Sequence, residues 1–190
     1  MTIGFVSASP ESDPLTNYPT TNFAAHCAAD VYEVNGHKSR LLSSCTFIRE
    51  DIKYCQSKGK KVLLSVGGVW SSAPANRYNV SSVANGQYFG NFLWKAFGPY
   101  DPAWTGPRPF DISPSEHVVL DGFDIDIEVD FKNAPGGYTG YIKLIQVLRA
   151  FITSSGTGQI ITGAPQCPLN SPYNYMNGII SVVKFDKLFM

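Results

Sequence analysis

A chain of 190 residues carrying 15 basic and 15 acidic side chains, with formal net charge zero, has the length of one soluble domain and no electrostatic reason to bind nucleic acid. It holds no apolar run long enough to cross a bilayer, which excludes a membrane partner of that kind. Thirteen Pro, seventeen Gly and 13% aromatic residues point to long loops and to surfaces suited to flat ligands such as sugars, although aromatic content more often means core.

The chain opens with Met1-Thr2-Ile3-Gly4-Phe5-Val6, without the charged start and apolar run of a cleavable signal. Ile3 to Ala8 is short, apolar and partly β-branched, and reads as a strand; Ser9 to Thr21, rich in Pro, Ser, Thr and Asn, reads as loop. Cys27 to Cys45 brackets a polar segment with Asn35-Gly36, a loop stapled by a disulfide in an oxidising compartment or, alternatively, flanked by two buried thiols. From Thr46 a helix is predicted, with Phe47, Ile48, Ile52 and Cys55 at helical spacing and an end near Gly59.

Lys61 to Gly68 is a buried strand running into a paired glycine. Gly67 and Gly68 permit positive φ and close approach by a ligand or a neighbouring strand, or mark a tight turn only. Trp70 follows in a loop, either as a stacking platform for a sugar or as a packing residue. Asn79-Val80-Ser81 is a glycosylation sequon compatible with export. Tyr88, Phe89, Phe92, Leu93 and Phe97 share the core face of a helix over 85–97, and the Pro-rich stretch from Gly98 to Pro114 reads as a long surface insertion.

The stretch that carries chemistry is Asp121-Gly122-Phe123-Asp124-Ile125-Asp126-Ile127-Glu128. As a strand it alternates faces, so Asp124, Asp126 and Glu128 line one side and Phe123, Ile125 and Ile127 the other. Repulsion among three carboxyls, with partial burial, keeps at least one protonated near neutral pH, the condition for a general acid. The competing readings are a helix cap or a divalent-cation row. The EF-hand pattern is excluded, since it needs Gly at its sixth position and Glu at its twelfth.

Beyond this row, Asn133 to Gly140 is loop, and Tyr141, Leu144, Ile145, Leu148, Phe151 and Ile152 form the stripe of a helix stopping near Gly156. Gln159 to Gly163 is a short strand leading into Ala164-Pro165-Gln166-Cys167-Pro168; Ile179 to Val183 is a short helix and Phe185 to Met190 begins a last strand. Alternation of strand and helix implies a parallel sheet clothed by helices, an α/β fold. GxGxxG, Walker, GxSxG and HExxH patterns are all missing, and the four cysteines have no CxxC pairing, so neither a cofactor nor a metal is expected.

The run from Asp121 to Glu128 resembles the DGxDxDxE signature of glycoside hydrolase family 18. Ser65-Val66-Gly67-Gly68 resembles its SxGG motif, and Ala164 to Pro168 is similar to the segment after the fifth barrel strand in its class III, hevamine-like branch of plant and fungal chitinases. The resemblance covers essentially the whole chain and implies a (β/α)8 TIM barrel, incomplete here and running from about strand 2 to the start of strand 6. It implies one catalytic domain fragment over 1–190, truncated at both ends, since a closed barrel takes about 250 residues.

The same resemblance implies a chemistry. Glu128 would protonate the glycosidic oxygen of chitin or a chitooligosaccharide while the substrate's own N-acetyl carbonyl attacks the anomeric carbon. Asp126 would orient and stabilise the oxazolinium intermediate, and Asp124 would sit deeper and share its proton. Ser65 would support the row, Asp121 would be structural, and Gly67, Gly68, Trp70 and Gln166 would meet the sugar. Cys27 would pair with Cys45, whereas the partners of Cys55 and Cys167 lie outside the chain, so those two should not be joined to each other. A secreted protein is implied, and the open edges of an unclosed barrel imply self-association. The alternative is a non-catalytic chitin-binding or lectin-like member, inactive through truncation. A storage or defence protein without a sugar ligand is a third reading, weakened by the intact motif row.

Overall fold

The computed structural model describes residues 1–169 and 171–190. In chain order it has β1 (Thr2–Ala8), β2 (Thr20–Thr21), β3 (Val31–Val34), β4 (His37–Leu42), α1 (Thr46–Ser57), β5 (Leu63–Gly68), α2 (Val83–Phe97), β6 (Gly122–Ile127), α3 (Thr139–Ser155), β7 (Ile160–Gly163), α4 (Asn177–Ile180) and β8 (Lys187–Leu188). One six-stranded sheet takes the order β2-β1-β5-β6-β7-β8. From β1 to β8 every neighbour is parallel, and only β2 runs antiparallel, beside β1. The sheet is an open α/β array with β6 inside it, a partial barrel that does not close.

The strand faces follow from the alternation. Leu64, Val66, Phe123, Ile125 and Ile127 are all buried and join one core with Phe89, Leu93, Leu144 and Leu148 from the helices. Each such side chain contributes about 1.5–3 kcal/mol by leaving water. The two longest helices, α2 and α3, pack closely because they meet at glycine: a Cβ on Gly86 would stand 2.1 Å from the Gly140 carbonyl oxygen. Ser82 caps α2 by accepting the Asn85 amide at 3.1 Å. α3 ends where Gly156 takes φ +64°.

Four expectations need correction. The segment between Cys27 and Cys45, which do form a disulfide, is a β-hairpin rather than a loop: Asn35 and Gly36 both have positive φ, 51° and 79°, the requirement of a tight two-residue turn. Phe47 points to water, 70% exposed, because the buried face of α1 is set by Ile48 and Ile52. Tyr88 lies at the margin of its stripe, with its hydroxyl on the Asn17 carbonyl.

The stretch from Gly98 to Pro114 is no loose surface insertion. Phe110 is buried between Phe23 and Phe97, and the Arg108 guanidinium donates to the carbonyls of Lys95, Gly98 and Val118 and to Asp111. Cys55 and Cys167 are both free thiols, not joined to each other.

Candidate active site

Three strands put three polar side chains at one level. Register pairs Ser65 with Asp124 across β5 and β6, and Asp124 with Thr162 across β6 and β7. Because paired residues in a ladder share a face, all three point away from the helix-covered core. Ser65 donates to one oxygen of Asp124 at 2.9 Å and Thr162 to the other at 2.5 Å. Asp124 is 4% exposed, and these two hydroxyls are what make its burial tolerable.

Along β6 exposure rises toward the carboxyl end. Asp124 is buried, Asp126 half-buried, and Glu128, one residue beyond the strand, is exposed. The Asp126 carboxyl is pushed up to about 6, first by burial, then by the charges of Glu128 and Asp124. The Asp126 carboxyl therefore keeps its proton at mildly acidic pH, where a free aspartate has lost it. Among the described residues no group of three acidic, His or Cys side chains is arranged to hold a metal ion.

The remaining residues singled out in the sequence take up different posts. Asp121, at the other end of β6, accepts the Val62 amide at 2.8 Å and Gln56 Nε2 at 2.9 Å, fixing the strand entry rather than facing the row. Gly67 has φ +124°, and a Cβ there would fall 1.8 Å from the Asp126 carbonyl oxygen; Gly68 has φ +82°, with the Phe5 ring 3.1 Å from the same construction. A side chain at either position would meet protein, the Asp126 backbone in one case and the Phe5 ring in the other.

Trp70 is half-buried just past β5, its indole N–H donating to Asn79 Oδ1 at 2.9 Å, so the asparagine of the sequon is engaged with the ring. Gln166 bridges two backbone segments: its Nε2 donates to the Ile127 carbonyl at 3.0 Å and its Oε1 accepts the Tyr175 amide at 3.0 Å.

Sequence reasoning missed Thr162 and Tyr78. Thr162 had a signal, since the strand over 159–163 runs parallel to the carboxylate row and alternation puts Thr162 on the face opposite Ile161. Tyr78, completely buried in the segment after β5, had none. Its hydroxyl donates to the Gly68 carbonyl at 2.8 Å and accepts the Glu128 amide at 3.1 Å. Burial, and then the nearby Glu128 and Asp126 charges, push that hydroxyl well above the ordinary tyrosine range.

The family model for glycosyl hydrolases family 18 matches residues 8–189. The chain belongs to that family. Among curated relatives of this family 18 chain, a probable endochitinase of Arthroderma benhamiae is 38% identical over 190 residues, 99% of this chain and 24% of the relative. An Aspergillus niger endochitinase A is 41% identical over 90% of this chain and 13% of its own length. The chain therefore spans a quarter or less of these relatives. The crystal structure of a chitinase from Ipomoea carnea aligns over 99% of this chain and 56% of that one, with TM-score 0.72 and 27% identity. The family 18 fold, and the α/β class of the present sheet as part of it, follow from these matches.

Proposed function

We propose that this chain carries the catalytic row of a chitinase, hydrolysing β-1,4 bonds between N-acetylglucosamine units with retention through participation of the substrate's acetamido group. The observation that carries the reading is Asp126, half-buried and raised to about 6 beside an exposed Glu128 and a buried Asp124. The relatives at 38% to 41% identity, which bear the name endochitinase, support it.

Glu128 stands at the carboxyl ends of parallel strands, where ligands meet such sheets. It gives its proton to the leaving oxygen. Asp126, protonated in the resting row, accepts the N–H of the sugar's acetamido group through its carbonyl oxygen and so turns the acetamido oxygen toward the anomeric carbon. As positive charge develops on the oxazolinium ring, the proton passes back toward Asp124 and the negative Asp126 steadies that charge. Ser65 and Thr162 hold Asp124 in place; Trp70 and Gln166 flank the sugar. Secretion is part of the proposal, and the Cys27–Cys45 disulfide supports it.

The test is Glu128→Gln in an enzyme containing residues 1–190. Loss of a general acid lowers kcat by about 10²–10⁴-fold, with chitin still retained in a pull-down. Retention of most of the rate sinks the assignment. Chitin binding without turnover by the unaltered protein would instead favour the non-catalytic alternative, which the fold by itself does not decide: the xylanase and alpha-amylase inhibitor protein of Scadoxus multiflorus shares it at TM-score 0.67 and 28% identity.

A further inference from the structure

We infer that Tyr78 is the positioning residue of the proton donor: its hydroxyl splices the end of β5 to the end of β6 and thereby fixes the backbone from which the Glu128 side chain departs. The inference rests on the reading of Glu128 as that donor.

The ladder between β5 and β6 ends at the pair Gly68 and Ile127. Gly68 has φ +82° and Val69 is exposed, so β5 turns away there. Glu128 is thus one residue beyond the last rung, and its amide has lost the strand that would have paired with it. The Tyr78 hydroxyl replaces that partner by accepting the Glu128 N–H at 3.1 Å while donating to the Gly68 carbonyl at 2.8 Å. One side-chain oxygen adds a rung.

The rung is stiff because the ring cannot move. Tyr78 has no exposed surface, and its ring stands edge-on to Phe131 at 5.8 Å. Its own carbonyl accepts the hydroxyl of the buried Tyr141, from α3, at 2.6 Å. Phe131 in turn stacks on Tyr141. A line of contacts therefore runs from the first turn of α3 to the main chain of Glu128. That matters because the Glu128 side chain is itself exposed, with solvent rather than packing around it. Only its Cα–Cβ direction can be held, and a displacement of about 1 Å in a reacting group can lower a rate by 10²-fold.

Tyr78→Phe keeps the ring and deletes the rung. In an active enzyme containing residues 1–190, kcat on an unactivated chitooligosaccharide should fall roughly 10–100-fold with KM within about twofold. An aryl chitobioside whose phenol is acidic needs little protonation to depart, so its kcat should fall several-fold less. A purely structural tyrosine would remove folded enzyme and depress both substrates by one factor; that result overturns the inference.

Amide exchange of the unaltered protein is the second measurement, and it holds even if Tyr78→Phe does not fold. The Glu128 N–H should exchange on the order of 10²-fold slower than in a free peptide. Exchange at the free-peptide rate in the folded protein overturns the inference. Glu128→Gln run in parallel separates the two failures. An active Glu128→Gln overturns the donor assignment and this inference together, whereas an inactive one beside an unimpaired Tyr78→Phe overturns this inference alone.

Discussion

The carboxyl of Asp126 lies between Asp124 below it and Glu128 above it, and its position links stability to function. In the folded chain it titrates at about 6, against an ordinary value of 3.8. Folding therefore takes up a proton between those values. The stabilisation from the protonated form is complete below about pH 4 and is lost as pH rises through 6. Asp126→Asn removes the penalty of the charged form at neutral pH. Since the side chain is only half-buried, solvent screening leaves about 1 kcal/mol, a rise in Tm of roughly 2–4 °C at pH 7.5. The gain should vanish at pH 4, where both side chains are neutral, and catalysis should be lost at either pH. Thermal unfolding of the two proteins at the two pH values checks this; an equal gain at both would mean that charge is not its cause. A stabilising substitution that abolishes activity is the signature of a residue kept for chemistry.

At the scale of elements, the segment after α2 is anchored by one buried cation. Arg108, its side chain 7% exposed, spreads its donors over three carbonyls and Asp111, which also accepts from the Val118 amide and contacts His117. Arg108→Ala strands those carbonyls and a mostly buried carboxylate, and should lower stability by about 3–5 kcal/mol in urea unfolding. Arg108→Lys should recover only part, because a single ammonium cannot span a planar fork of partners. A change within experimental error for the alanine variant would show the segment to be loosely held.

The sequence did not disclose this anchor, since its partners at 95, 98, 111 and 118 belong to no local period. Other features were legible to different degrees. β6 announced itself because a period of two separated carboxyls from apolar residues within one strand. The Asn35-Gly36 turn was written in the chain as well, but charged neighbours such as Lys38 and Arg40 made its flanks look like loop. Phe47 entered the helical stripe by spacing alone, and only the docking of Ile48 and Ile52 decided which face went in. Ser65 was marked by its SxGG motif as a support of the row, but its bond and that of Thr162 to the two oxygens of Asp124 depend on three separate strands falling into register.

At the scale of the whole molecule, the sheet ends differently on its two sides. β1 is covered by the short β2, whereas β8 has two residues, followed by Phe189 and Met190 at 50% and 72% exposure. Along β1 and α1 runs a groove of about 310 Å³ whose lining includes Ile3, Phe23, Ile48, Ile52 and Val62. Unpaired strand edges beside apolar surface are the usual sites of association, so residues 1–190 prepared alone should self-associate. Contact of this kind depends on concentration and hardly on salt, because net charge is zero and the surfaces are apolar. Sedimentation velocity from micromolar to sub-millimolar protein, at low and high salt, should show weight-average mass rising with concentration at both. A constant monomer mass throughout would mean that the groove and the β8 edge are adequately covered within one chain. Introducing a charge at Thr2, exposed on the groove wall and outside both the core and the carboxylate row, separates the two surfaces: it should weaken an association made through the groove and leave one made through β8 unchanged.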